Sequence, residues 1–141
     1  MDSYRDLRVW QLAMQLAVAV YKATESFPKH EIYALTSQLR RSAISVPSNI
    51  AEGKGRKTRA DFAMFLYHAR GSLLELETHL LLAKELQYIS EAQMAALFKE
   101  TAAIGSALTG LINSLAGALS SAQRQPAESR KPRPESLIEH V

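Results

Sequence analysis

The chain has 141 residues and a net charge of +3; 47% of its residues are apolar, 7% are aromatic and none is cysteine. That length fits a single domain with its own core, and the composition favours helices over a β-sandwich. The absence of cysteine excludes disulfides, thiolate nucleophiles and cysteine-ligated zinc.

The first predicted helix runs over residues 4–25. Its apolar residues recur at three-four spacing, and the Phe27-Pro28 pair ends the pattern. The predicted core-facing stripe is Leu7, Trp10, Met14, Ala17, Tyr21 and Thr24. The opening MDSYRDLRVW carries neither a basic leader nor an apolar run, so we expect no secretory signal and a cytoplasmic protein.

The second predicted helix begins near Lys29 and ends at Gly53 and Gly55. Its predicted core-facing stripe is Ile32, Leu35, Leu39, Ala43, Val46 and Ile50. Pro47 lies inside this helix, where it removes one amide donor and clashes with the carbonyl four residues before it. We therefore expect a kink or a local break at Pro47.

Two capping pairs open the second half of the chain. Thr58 with Asp61, and Ser90 with Gln93, have the spacing of side chains that cap a helix N-terminus. The third helix is predicted to extend to about residue 87, and the fourth to about residue 120. Their predicted core stripes are Phe62, Leu66, Ala69, Leu73, Leu76, Leu80 and Ala83, and Met94, Leu97, Thr101, Ile104, Leu108, Leu111 and Leu115.

Four helices with short connections predict an all-α fold, an antiparallel up-down-up-down four-helix bundle over residues 1–120. From residue 121 the composition shifts to proline and charge. Residues 121–141 are therefore expected to form a disordered or loosely packed C-terminal tail.

The last three predicted helices each carry a second ordered face. In the second helix, positions 34, 38, 41, 45, 48 and 52 form a stripe of small and polar residues. The far stripe of the third helix is Met64, His68, Gly71, Glu75, Thr78 and Leu82, and the fourth has no charged residue from 101 to 123. Such faces predict a homo-oligomer, with an uncharged solvent face as the alternative. Residues 101–119 are too weakly apolar for a membrane span, and we expect no membrane partner.

A polar network is expected between the second and third helices. Its predicted members are Arg41, Asn49, Glu52, Ser72 and Glu75. Removing one partner of a buried charge pair costs about 3–5 kcal/mol, so these residues would matter without doing chemistry. Glu75 and His79 have a chelating spacing, but the Glu-x-x-His pairs of di-iron bundles are absent, so we expect no metal and no cofactor.

The segment EGKGRKTRADF is the candidate nucleic-acid interface. Residues 40–70 hold seven Lys or Arg against two acidic residues, a local charge of +5. The candidate contacts are Lys54, Arg56, Lys57 and Arg59, beside the amides at the start of the third helix, together with Arg40. No aromatic residue interleaves with these charges, so contact with backbone phosphates is expected rather than base recognition. The alternative is a solvated loop.

Enzyme motifs are missing from the sequence. It has no Gly-x-Ser-x-Gly, and the glycines near Lys54 lack the Lys-Ser/Thr ending and the preceding strand of a P-loop. We expect a protein that is not an enzyme.

Four motifs carry a family resemblance. They are Phe27-Pro28-x-x-Glu31, Tyr33-x-Leu35-x-x-Gln38-Leu39-Arg40-Arg41, Ser45-x-Pro47-x-Asn49-Ile50-Ala51-Glu52-Gly53 and Gly71-Ser72-x-x-Glu75-x-Glu77-Thr78. Over about residues 4–116 the chain resembles the four-helix-bundle family whose founding members are encoded by intervening sequences inside bacterial large-subunit ribosomal RNA genes. The resemblance implies a ring-like homopentamer of four-helix bundles with no established catalytic activity. A related pentameric bundle, the accessory variability protein of diversity-generating retroelements, binds nucleic acid and a reverse transcriptase, which is an analogy only.

The residues and the resemblance predict a non-catalytic homo-oligomeric scaffold that binds RNA or DNA through backbone phosphates. The alternative is a protein-binding adaptor ring whose partner is encoded nearby and which has no nucleic-acid role.

Overall fold

The computed structural model describes residues 3–123, with side chains described as far as residue 117. The four helices are α1 (Arg8–Thr24), α2 (Leu35–Lys54), α3 (Arg59–Glu85) and α4 (Glu91–Gln123). Residues 3–123 contain no strand, and the all-α four-helix bundle is as predicted. The predicted tail lies outside the described residues, apart from residues 121–123 at the end of α4.

Each helix packs on two neighbours. α1 contacts α2 and α4, and α3 contacts the same two helices. Arg41 of α2 lies beside Glu75 of α3. Further along α2, Gly53 lies beside Phe65, which precedes Glu75 in α3, so these two helices are antiparallel. α2 passes through Pro47 as one uninterrupted helix, so of the expected kink or break there is no break; the kink and the complete up-down-up-down order stay predictions.

The starts of α1 and α2 differ from the predicted boundaries. Leu7 has an extended backbone (φ −72°, ψ 122°), so Tyr4–Asp6 form a separate 3-10 turn and α1 begins one residue later. A second 3-10 turn covers Lys29–Glu31. Ala34 (φ −123°, ψ −108°) interrupts the helical backbone after it, and α2 begins at Leu35.

Both predicted capping pairs are confirmed. Thr58 Oγ1 accepts a hydrogen bond from the Asp61 amide at 3.1 Å. Ser90 Oγ accepts from the Gln93 amide at 3.1 Å, and Gln93 Oε1 accepts from the Ser90 amide at 2.9 Å. These bonds, single in the first pair and reciprocal in the second, satisfy amide donors that a helix start otherwise leaves open, which fixes where α3 and α4 begin.

The core stripe of α3 is buried from Leu66 to Ala83 as predicted, with Phe62 partly buried. That of α2 is buried from Leu35 to Ile50, but Ile32, predicted for the same stripe, is 51% exposed because it precedes the break in the helical backbone at Ala34. The predicted stripe of α1 is confirmed at Ala17 and Thr24, which are buried, and wrong at Met14 and Tyr21. Met14 and Tyr21 are each 40% exposed. The buried residues of α1 are Val9, Ala13, Leu16, Ala17, Val20 and Thr24. α1 carries two neighbouring apolar stripes, and the one with the smaller side chains faces the core.

The stretch Glu91–Gly117 of α4 is long and apolar enough to cross a membrane by length and composition alone, a test that a core helix of a bundle also passes. Its inward residues Thr101, Ile104 and Leu108 are fully buried against the rest of the bundle. Leu111 and Leu115, predicted for the same stripe, pack against the core while partly buried.

Candidate nucleic-acid interface

The candidate interface is built on a close approach between the end of α2 and the start of α3. Gly53 is buried, and a Cβ atom placed on it would lie 2.6 Å from the Phe65 Cβ. Real Cβ contacts are essentially never that short, so this crossing requires glycine. The connection from Lys54 to Thr58 is thereby held at one end of the bundle; we call residues 54–59 the basic end.

Two of the four cations at the basic end rest on aromatic rings. Lys54 Nζ lies 5.9 Å from the centroid of the Phe62 ring. Arg56 Cζ lies 4.6 Å from the centroid of Phe65, and Arg56 Nη2 is 3.2 Å from Glu52 Oε1. These contacts orient the two side chains, but they also offset part of the positive charge that a ligand would meet. Sequence reasoning missed the rings because the contacts cross the connection between two helices.

Lys57 and Arg59 are less constrained than Lys54 and Arg56. Both are exposed, and neither makes an ion pair or a ring contact within residues 3–117. They flank Thr58, the cap of α3, so they stand beside the first amides of that helix. Thr58 Oγ1 accepts a hydrogen bond from the Asp61 amide. The two preceding amides, at residues 59 and 60, have no acceptor within the helix. Exposed cations next to open helix amides are the elements of an anion site, although the Asp61 carboxylate in the first turn opposes part of that charge.

Arg40 is not brought to the basic end. Its Nε donates to Thr24 Oγ1 at 2.9 Å, and its Cζ lies 4.7 Å from the centroid of the Tyr21 ring. A rise of 1.5 Å per residue places Arg40 about 21 Å from Lys54 along α2. The sequence prediction grouped them by charge alone, whereas the structure places Arg40 between α1 and α2.

The polar residues predicted between α2 and α3 fall into separate sets. Arg41 Nη2 lies 3.2 Å from Glu75 Oε1, and the two side chains are 68% and 43% exposed. Arg41 Nη2 also donates to Gln38 Oε1 at 2.8 Å. Glu52 pairs with Arg56 of the connection that follows α2, away from Arg41.

The second set of polar contacts is partly buried and lies further along the boundary between α2 and α3. The hydroxyls of Ser45 and Ser72 are 2.8 Å apart. Asn49 Nδ2 donates to the Ser45 carbonyl at 2.8 Å and to Ser45 Oγ at 3.0 Å. Ser45 thus links Asn49 and Ser72, and we call these three residues together with Arg41 and Glu75 the polar seam. Ser45, which belongs to the polar stripe of α2, is the member that the predicted network lacked.

No group of three or more His, Cys, Asp or Glu side chains with the geometry to hold a metal occurs in the described part of the chain. Glu75, which has a chelating spacing to His79 in the sequence, is bonded to Arg41.

Comparisons with known proteins agree with this architecture. The model of the 23S rRNA-intervening sequence protein family matches residues 5–110. Among solved structures, the chain is similar to a protein of unknown function from the S23 ribosomal protein family of Bacteroides thetaiotaomicron VPI-5482. The two share 26% sequence identity and a TM-score of 0.67, over 74% of this chain and 97% of the other. The comparison with curated proteins gives no match.

Proposed function

This chain belongs to the 23S rRNA-intervening sequence protein family, and on that premise we propose that it is a non-catalytic, cytoplasmic, homo-oligomeric scaffold that binds the phosphate backbone of RNA or DNA. The proposed contact surface is the basic end, Lys54, Arg56, Lys57 and Arg59. The family is named for intervening sequences of 23S ribosomal RNA, which makes RNA the first ligand to test.

The observation that carries the proposal is the exposure of Lys57 and Arg59 beside the open amides of α3. Phosphate oxygens accept from both kinds of donor, and the positive end of the helix dipole favours an anion there. Lys54 and Arg56 add charge on the same connection. The rings of Phe62 and Phe65 hold these two side chains in place, which lowers the conformational entropy lost when a phosphate is bound.

Backbone contact is favoured over base recognition at this surface. Phe62 and Phe65 are partly buried and already have cations against their faces, so they are not open platforms for stacking bases. A surface with four cations and no exposed aromatic ring is typical of a protein that binds nucleic acid with little sequence preference.

Homo-oligomerisation is proposed from the outer surface of α3, whose far stripe holds one carboxylate, Glu75, and from the outer surface of α4. The far stripe of α3 is exposed at every predicted position, including Met64 and Leu82 at 47% and 48%. α4 presents exposed small residues such as Ala103 and Gly110 beside it, with no charge after Glu100 within the helix. Several basic ends in one assembly would raise avidity for a continuous phosphate chain.

Fluorescence polarisation with a labelled RNA and a labelled DNA duplex at low salt tests the proposal. The double variant Lys57→Ser/Arg59→Ser is expected to bind more weakly than the wild type. A variant with the same charge loss elsewhere on the surface, Lys29→Ser/Lys99→Ser, is the matched control and is expected to keep most of the affinity. Equal losses in both variants would contradict a defined interface, and no binding by the wild type would contradict the nucleic-acid role.

A protein-binding adaptor is the second candidate function. The observation that favours it is an apolar groove of about 640 Å³ between α1 and α2, lined by side chains that include Trp10 and Met14. Apolar grooves of this size commonly receive a helix of a partner. Absence of nucleic-acid binding together with an intact oligomer would favour this function.

A further inference from the structure

The groove between α1 and α2 leaves large apolar side chains uncovered. It is lined by Trp10, Met14, Val18, Tyr21, Ile44 and Pro47, among others. Val18 is 50% exposed and Ile44 is 45% exposed. The charged side chains of the lining, Lys22 and Glu25, balance each other, so charge does not select what binds in the groove. An apolar surface of this kind usually marks an interaction site, and its occupant has to be apolar.

One end of this groove lies at the basic end of the bundle. Arg40, early in α2, donates to Thr24, the last residue of α1. Trp10, near the start of α1, lines the groove together with Ala51, near the end of α2. The two helices are therefore antiparallel, and the part of the groove at Trp10 adjoins residues 54–59.

α4 ends at the same end of the bundle. A Cβ atom placed on Gly105 would lie 3.6 Å from Leu73 Cδ2, and Ala116, later in α4, lines a cavity with Ala60 near the start of α3. These contacts make α3 and α4 antiparallel and place residue 105 level with residue 73. Because both helices rise about 1.5 Å per residue, the end of α4 at Gln123 lies about level with the connection between α2 and α3.

The chain that follows α4 divides by composition. Residues 124–135, outside the described residues, contain three prolines and no large apolar residue. The large apolar residues after 123 are Leu137, Ile138 and Val141. We call residues 136–141 the SLIEHV segment. Ser136 and Glu139 have the spacing of a capping box, and apolar residues at positions i, i+1 and i+4 are typical of a helical turn with one apolar face.

The length of chain after Gln123 is sufficient for the SLIEHV segment to reach the groove. From residue 123 to residue 137 an extended chain spans at most about 45–50 Å. α4 contacts α1, and axes of packed helices are about 8–10 Å apart, so the groove beyond α1 is roughly 20 Å from the end of α4. A tethered segment also has an effective concentration of the order of millimolar, so a contact of a few apolar side chains suffices. A second copy or a separate partner lacks this advantage.

From these observations we infer that the SLIEHV segment docks in the α1–α2 groove of its own chain, with its three apolar side chains against the exposed stripe of α1. The inference assigns an occupant to the groove and does not rest on the proposed binding of nucleic acid or on the homo-oligomer. It also adds a regulatory step to the adaptor function, since a partner helix that binds in the groove must first displace this segment.

Trp10 reports directly on the docking. It is the one tryptophan in the sequence and lies in the groove, and the sequence has no cysteine. A nitroxide label on a single Ser136→Cys substitution therefore quenches the fluorescence of Trp10 when the SLIEHV segment occupies the groove. The same sample after chemical reduction of the nitroxide gives the unquenched reference.

Two triple variants of the labelled chain test the apolar contact. Leu137→Ser/Ile138→Ser/Val141→Ser removes the apolar side chains, and Arg130→Ser/Lys131→Ser/Arg133→Ser is the matched control in the preceding residues. Neither variant changes the bundle, and circular dichroism checks this. The labelled chain and the control are expected to lose most of the Trp10 fluorescence, and the apolar variant is expected to lose little.

A mixture of chains shows whose groove is filled. A labelled chain that also carries Trp10→Phe is refolded together with unlabelled wild type, so that quenching can arise only between different chains. No quenching is expected in this mixture. Quenching there would overturn docking within one chain, and absence of quenching in the labelled chain, or equal quenching in both triple variants, would overturn the inference altogether.

Discussion

The polar seam and the basic end lie on the same pair of helices but use their polar groups differently. In the polar seam, donors and acceptors meet one another, as in the 2.8 Å contact between Ser45 and Ser72. At the basic end cations outnumber the acids, so Lys57 and Arg59 have no ionic partner within residues 3–117. The difference separates polar residues that hold helices together from polar residues left available for a ligand.

Gly53→Ala is expected to have the largest effect on stability, because the basic end depends on the crossing at this residue. The added Cβ would lie 2.6 Å from the Phe65 Cβ, an atom close to the backbone that cannot easily move. Overpacking of this kind costs about 1–3 kcal/mol. Urea unfolding at constant protein concentration measures it. Gly55→Ala is the control, since its Cβ would meet nothing closer than 3.5 Å; equal losses in the two variants would contradict the close crossing.

Ser72→Ala is expected to destabilise the protein by about 1 kcal/mol, the usual worth of a partly buried hydrogen bond. Ser45 keeps its bond from Asn49, which limits the loss. Ser106→Ala on the exposed surface of α4 is the control and is expected to change little. If Ser72→Ala unfolds at the same urea concentration as the control, the polar seam does not contribute to stability.

Arg41→Ala and Glu75→Ala are each expected to cost less than about 1 kcal/mol, because both side chains are largely exposed. This is well below the cost of breaking a buried pair, which the sequence suggested. The double variant is expected to lose less than the sum of the two single losses. A double-mutant cycle measures the coupling, and strict additivity would show that the two residues do not interact.

Lys57→Ser/Arg59→Ser is expected to have the smallest effect on stability, within about 0.5 kcal/mol of the wild type, because both side chains are exposed and form no ion pair with any side chain of residues 3–117. Thermal unfolding followed by circular dichroism checks this. A loss as large as that of Ser72→Ala would mean that these cations hold the fold together, and the contrast with the polar seam would disappear.

How far the sequence predicted this structure depended on the element. In α3 only one stripe is continuously apolar from Leu66 to Ala83, so three-four spacing assigned it to the core correctly. In α1 two stripes are apolar, and periodicity cannot say which of them faces inward; only the packing of α2 and α4 settles it. The caps at Thr58 and Ser90 were predictable because they are local hydrogen bonds.

The candidate site was predictable in composition but not in arrangement. The charges of Lys54, Arg56 and Lys57 are evident in the sequence, whereas their surroundings depend on tertiary contacts. Arg40 was included for its charge, yet it packs on Tyr21 of α1. Contacts between residues distant in sequence decide which charges share a surface, and a single sequence does not contain them.

The salt dependence of nucleic-acid binding tests the central claim most directly. For duplex DNA, the slope of log affinity against log salt is about −0.9 per phosphate neutralised, or about −3.6 for four contacts. The quadruple variant Lys54→Ser/Arg56→Ser/Lys57→Ser/Arg59→Ser is expected to bring this slope close to zero while light scattering shows the wild-type oligomer. A wild-type slope retained by the quadruple variant, or no wild-type binding even at low salt, would contradict the assignment of the basic end as a phosphate-binding surface.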